Sequence, residues 1–102
     1  MVAQPANYDA VCFHCQQCIE KLLKGVLIAR GVPPKLHDLV ELNRLLASSY
    51  KIWSWSDEDM RLLTRAAVLF RYPGESADLE EAQAALNVCR QIRVRLIALL
   101  ND

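Results

Sequence analysis

Glycine and proline are scarce in this chain of 102 residues, with three of the first and four of the second. So low a content excludes collagen-like chains and Pro- or Gly-rich disordered ones. Long apolar runs are missing too, because the longest one near the C-terminus, Leu96 to Leu100, is far below the ~20 residues that cross a bilayer. The segment MVAQPANYD lacks the basic and apolar regions of a signal peptide. We therefore expect a cytoplasmic protein with no membrane association.

The chain also carries no net charge, since 12 basic residues balance 12 acidic ones. This balance excludes a global field that would draw the protein onto nucleic acid, so any such binding must use a local surface. Hydrophobic residues are abundant at 53%, with many leucines and alanines. A chain of this length and composition can bury one core. We expect a single domain over residues 1–102.

The apolar residues recur at helical spacing along the chain, and no stretch alternates for long enough to predict a strand. The pattern predicts helices at about 8–30, 38–48, 57–71 and 77–99. Gly31 and the two prolines that follow it end the first helix, while Ser56 and Ser76 are the expected N-caps of the third and fourth. The predicted fold is all-α, an up-and-down bundle of four main helices with short connections.

The stretch CFHCQQC, residues 12–18, resembles part of an iron–sulfur or zinc site, because its three cysteines are spaced three apart with a histidine between the first two. On a helix, however, Cys12 and Cys18 lie ~9 Å apart along the axis. Two thiolates on one zinc can be at most about 4.6 Å apart, and the fourth cysteine, Cys89, is far away in another helix. We predict that Cys12 and Cys15 pack in the core with Cys18 at its border, and we expect neither a metal nor a cofactor. Metal binding and a redox role are the less favoured interpretations.

The opposite face of this helix is polar, because His14, Gln17, Lys21 and Lys24 fall on one stripe. One interpretation is a solvated face with a Glu20–Lys24 pair in the favourable order. The other is an anion or nucleotide surface on which the two lysines contact phosphate.

The same residues resemble the signature helix of the HEPN family, the "higher eukaryotes and prokaryotes nucleotide-binding" domain. The residues that carry this resemblance are Asn7-Tyr8, Cys12-Phe13-His14, Gln16-Gln17, Glu20-Lys21 and Leu23-Lys24. Two further segments, His37-Asp38-Leu39 and Arg71-Tyr72-Pro73, are similar to the family's other landmarks. The resemblance extends from Asn7 to the C-terminus and implies a HEPN-like helical bundle. The first helix departs from the family pattern, because it looks shortened at its N-terminus.

For function, the resemblance implies association with a nucleotide or RNA. It also implies a homodimer, often one that acts with a small nucleotidyltransferase in a toxin–antitoxin pair. A bundle with a shortened first helix would need such a partner to cover its core.

Many HEPN proteins are metal-independent ribonucleases whose motif is an arginine followed a few residues later by a histidine. By family position the arginine is Arg71, yet YPGESAD, the segment after it, contains no histidine. We therefore expect a binding or partner-regulating module rather than an enzyme. A ribonuclease that uses His37 with Arg71 is the alternative, and a non-enzymatic protein-interaction scaffold is the second. Arg30 and His37 have a suitable spacing but flank the first turn, so we treat that match as chance.

The predicted binding surface combines the stripe with the landmarks. Phosphate would contact Lys21, Lys24 and Arg71, and the base or sugar would lie near His14, His37 and Tyr72. Gln17 belongs to the same predicted nucleotide- or phosphate-binding surface. Structural roles compete with these assignments: His37 can cap or pack at the start of the second helix, and Arg71-Tyr72-Pro73 can be a plain turn. For Trp53 and Trp55, closure of the bundle end is favoured over stacking on a ligand.

Overall fold

The structure is a computed structural model that describes residues 8–67 and 77–101. It contains the helices α1 (Tyr8–Ala29), α2 (Leu39–Ser49), α3 (Asp57–Ala66) and α4 (Leu79–Leu100), and no strand occurs among the described residues. The predicted all-α class and the four helices are thus confirmed. Within the same residues, every helix is too short or too polar to cross a lipid bilayer.

The end of α1 is fixed by Gly31, whose φ of 77° lies in the left-handed region that favours glycine. Its N–H donates to the Ile28 carbonyl at 2.9 Å, and the Val32 N–H donates to the Leu27 carbonyl at 2.9 Å. These two bonds form a Schellman motif, which satisfies carbonyls that the helix leaves unpaired. The expected glycine cap is confirmed.

Side-chain N-caps set the starts of the other helices. Asp38 accepts the N–H of Val40 at 2.9 Å and begins α2. Ser56 accepts the N–H of Asp59 at 3.2 Å and begins α3, as predicted. Such a cap satisfies one of the free N–H groups of the first turn, and the acidic residues that follow Ser56 favour the positive end of the helix dipole.

Two predicted boundaries are wrong. The third helix was expected to reach Arg71, but α3 ends at Ala66 because Ala67, with ψ of 15°, has left the helical conformation. Apolar residues continue the repeat beyond Ala67 in the sequence, and a repeat does not define a helix end. The fourth helix is capped by Asp78, which accepts the N–H of Glu81 at 2.8 Å, and not by Ser76, which lies outside the described residues.

The core lies between α1 and α4, which make the most extensive helix contact, and α2 and α3 cover its remaining side. Ile19 and Leu23 of α1 and Ile92 and Leu96 of α4 are fully buried in it. Each such side chain contributes about 1.5–3 kcal/mol when it leaves water. The start of α1 is tied to the start of α4, because Asp9 accepts the N–H of Ala77 at 2.8 Å.

The connection between α2 and α3 is held by a buried asparagine. Asn43 accepts the indole N–H of Trp53 at 2.8 Å and donates to the carbonyl of Trp55 at 2.9 Å. Its amide nitrogen also lies 3.4 Å from Oδ1 of Asp57, the first residue of α3. Trp53 is part of the core, as expected for a tryptophan that closes the bundle end, and the half-buried Trp55 stacks on it.

Candidate functional site

The predicted polar stripe exists on α1, although its members differ in exposure. His14 and Lys21 are exposed, whereas Gln17 and Lys24 are half-buried. Lys21 forms no ion pair within residues 8–67 and 77–101. It therefore projects a cation into solvent in the middle of the helix.

Glu20 organises the deeper edge of this stripe. Its Oε2 accepts a hydrogen bond from Lys24 Nζ at 2.8 Å, and its Oε1 accepts one from Gln16 Nε2 at 3.0 Å. Gln17 Nε2 donates in turn to Gln16 Oε1 at 2.8 Å. The predicted Glu20–Lys24 pair is thus confirmed. We call these four residues and His37 the α1 polar cluster.

His37 enters the cluster from the connection between α1 and α2. Its Nδ1 lies 2.9 Å from Lys24 Nζ and 3.3 Å from Glu20 Oε2, while its side chain remains 82% exposed. Neutral His37 can accept from Lys24, which leaves the proton on Nε2. Alternatively Nδ1–H donates to Glu20, which leaves Nε2 as a free base. The ring is held at one nitrogen and presents the other to solvent.

The electrostatics of the cluster favour ionised Glu20. Partial burial acts to raise the pKa of Glu20, but the hydrogen bonds from Lys24, Gln16 and His37 outweigh it and hold this pKa below its usual value. The carboxylate consequently remains charged through neutral pH and partly neutralises Lys24. Of the two lysines predicted to contact phosphate, Lys21 is the one without a carboxylate partner among the described residues.

The cysteine face of α1 is packed as predicted. Cys12 and Cys15 are buried, and Cys18 is half-buried at the border. Burial raises the pKa of Cys15, and burial together with the neighbouring thiols of Cys15 and Cys18 raises the pKa of Cys89 to about 12. Thiols with such pKa values are poor nucleophiles at neutral pH. Within the described part of the chain, His, Cys, Asp and Glu form no group of three that could hold a metal ion.

Comparison with protein families gives a match to the HEPN domain over residues 3–97, which is nearly the whole chain. The chain belongs to the HEPN family. No significant match was found among curated proteins or among solved structures. Membership confirms the resemblance seen in the sequence and identifies the chain as a nucleotide- or RNA-related module at the level of the family.

The structure brings two of the three HEPN landmarks together. The signature helix is α1, and His37-Asp38-Leu39 lies where α2 begins, with His37 against Lys24 and Glu20. Asp38 rather than His37 caps α2. The third landmark, which includes the predicted site residues Arg71 and Tyr72, lies outside the described residues.

Sequence reasoning missed the central place of Glu20 in the α1 polar cluster. Glu20 was expected only to pair with Lys24, yet it also contacts His37 and Gln16. The signal for the Gln16 contact was present in the sequence, because residues four apart meet on a helix. No spacing rule could place His37 there, since it is separated from Glu20 by 17 positions and lies in an irregular connection.

Proposed function

We propose that this HEPN chain binds a nucleotide or RNA without cleaving it. The observation that carries the proposal is the family match over residues 3–97. Lys21 supplies an exposed cation for phosphate, and the two glutamines of the α1 polar cluster supply neutral amide groups on the same helix. Arg71 and Tyr72 complete the site in this proposal, the arginine as a phosphate fork and the tyrosine as a stacking surface.

The proposed module is a cytoplasmic homodimer that works with a small nucleotidyltransferase in a toxin–antitoxin-like pair. The support for this part is the HEPN resemblance alone. Light scattering on the purified chain tests the dimer, since a monomer at micromolar concentration contradicts it. Purification from the native cell tests the partner, and recovery without a nucleotidyltransferase or nucleic acid contradicts the pairing.

Ligand binding is tested by fluorescence anisotropy with labelled single-stranded RNA and by calorimetry with ATP and GTP. We expect the dissociation constant to rise with salt, because phosphate contacts release counterions. Lys21→Glu should weaken binding about tenfold, the loss that follows from removing a charge-assisted hydrogen bond. Lys51→Glu is the matched control, since Lys51 is an exposed lysine in the connection between α2 and α3 and is not part of the polar stripe. If no probe binds at low salt, the chain is an interaction scaffold and the proposal fails.

The second candidate function is a metal-independent ribonuclease that uses His37 with Arg71. The observation in its favour is the approach of Glu20 Oε2 to His37 Nδ1 at 3.3 Å, because a carboxylate that orients an imidazole leaves Nε2 free as a general base. This function predicts cleavage of single-stranded RNA in the presence of a chelator, lost in His37→Ala. Intact RNA after prolonged incubation across neutral pH would exclude it.

A further inference from the structure

A groove of about 510 Å³ runs between α2 and α3, outside the predicted stripe. Its volume falls within the range of small-molecule sites in proteins. From α2 the lining residues are Val40, Glu41 and Arg44, with the N-cap residue Asp38, and from α3 they are Arg61, Thr64 and Arg65. We call this feature the arginine groove.

The three arginines of the groove differ in whether a described carboxylate holds the guanidinium group. Arg44 donates through Nε at 3.3 Å and Nη2 at 2.9 Å to Oδ2 of Asp57, which fixes its guanidinium. Arg61 and Arg65 are exposed, and one helical turn separates them on α3. Neither forms an ion pair with any residue of 8–67 or 77–101. As far as the described residues go, two guanidinium groups with unused donors therefore line one wall.

Carboxylates line the opposite wall. Asp38 is held in place because its Oδ1 accepts the N–H of Val40, and Glu41 lies in the first turn of α2. A simple anion would gain from the arginines and be repelled by these two groups. A ligand that carries both negative charge and hydroxyl donors can use both walls, since carboxylates accept hydrogen bonds from ribose hydroxyls. Val40 adds an apolar contact of the kind that a sugar or base can pack on.

From this arrangement we propose that the arginine groove binds a phosphorylated ribose, with Arg61 and Arg65 on the phosphate and Asp38 and Glu41 on the ribose hydroxyls. The inference rests on the proposed function, which it deepens by adding a second part to the site. The two parts adjoin in the chain: His37 belongs to the α1 polar cluster, and Asp38, the next residue, lines the groove. A free nucleotide and an RNA strand share this chemistry.

The test measures binding of ATP, GTP, a single-stranded ribo-oligonucleotide and its 2′-deoxy counterpart. Arg61→Glu and Arg65→Glu should each raise the dissociation constant about tenfold or more, because each removes a charge-assisted contact and adds repulsion. Arg93→Glu is the matched control, since it reverses the charge of an exposed arginine on α4 that does not line the groove. Circular dichroism and the thermal midpoint verify that the variants fold.

The ribose contact has its own readout. The wild type should bind the 2′-deoxy oligonucleotide several-fold more weakly than the ribo form, and Glu41→Gln should reduce this difference. Binding of ATP or GTP identifies a free nucleotide as the ligand, whereas binding of the oligonucleotide alone identifies RNA.

The outcomes separate the two proposals. If the wild type binds no probe, the proposed function fails and the groove has no ribonucleotide ligand. If the wild type binds but Arg61→Glu and Arg65→Glu behave like Arg93→Glu, the groove proposal is overturned while the proposed function stands. Equal affinity for the ribo and deoxy forms also overturns the assignment of the carboxylates to ribose.

Discussion

In the α1 polar cluster Lys24 lies 2.8 Å from Glu20, whereas in the arginine groove neither Arg61 nor Arg65 forms an ion pair with a described residue. Both surfaces are polar and both contain basic residues, but the residues of the cluster hydrogen-bond to one another. A cation that is already paired gains less from a phosphate, because the ligand must displace or share the carboxylate. The comparison indicates that the cluster orients His37 and that the groove, together with Lys21, has the charges available for a ligand.

The largest expected effect is on the free energy of unfolding, and it comes from removing Asn43, which holds the connection between α2 and α3. Asn43→Ala removes the partner of the Trp53 indole and of the Trp55 carbonyl, so buried polar groups lose their hydrogen bonds. We expect the free energy of unfolding to fall by about 2–4 kcal/mol, measured by urea denaturation. Asn87→Ala, at an exposed position of α4, should change it by less than about 0.5 kcal/mol. Equal effects of the two variants would contradict the structural role of Asn43.

Breaking the α1 polar cluster should lower the free energy of unfolding by a smaller amount. Glu20→Gln removes the charge that pairs with Lys24, and we expect a loss of about 1 kcal/mol in unfolding free energy at pH 7. Because the folded pKa of Glu20 is lowered, its stabilisation is present above the unfolded pKa of about 4.3 and is lost as pH falls through the folded pKa. The difference between variant and wild type should therefore shrink in urea titrations as pH falls below the unfolded pKa and through the folded one. A difference that stays constant down to the acid limit of folding would show that the charge is not its cause.

Removing the carboxylate of Asp57, which pairs with Arg44 of the groove, would make the two surfaces differ more. Asp57→Asn releases Arg44, whose guanidinium holds the pKa of Asp57 below its usual value. The ion pair is exposed and screened, so we expect little change in the thermal midpoint. Affinity for a ribonucleotide should increase by up to roughly fivefold in calorimetry, since a third arginine becomes available. Unchanged affinity would place Arg44 outside the ligand contact.

The smallest effect on stability is expected at Lys21. Lys21→Ala should change the free energy of unfolding by less than about 0.5 kcal/mol, because the side chain is exposed. It should nevertheless weaken RNA binding and lower the slope of log affinity against log salt by about one. Loss of stability without loss of binding would assign Lys21 to the fold instead of the ligand surface.

The sequence predicted what depends on local spacing. The cysteine side and the polar side of α1 follow from its helical period, and so does the Glu20–Lys24 pair. The end of α3 at Ala66 did not follow, because apolar residues continue the repeat beyond it. Contacts between separate elements could not be predicted from spacing either. His37 contacts Lys24 from an irregular connection. Arg44 and Arg61 line one groove only because α2 and α3 pack together.

The stacked tryptophans have a practical consequence. Trp53 and Trp55 are the only two in the chain, and their rings lie 5.8 Å apart at 20°. All intrinsic tryptophan emission therefore originates in the connection that joins the two walls of the arginine groove. The α1 polar cluster contains no such chromophore. The unlabelled protein thus carries its own optical reporter, and a spectral change on titration with a non-absorbing ligand signals that this connection has responded.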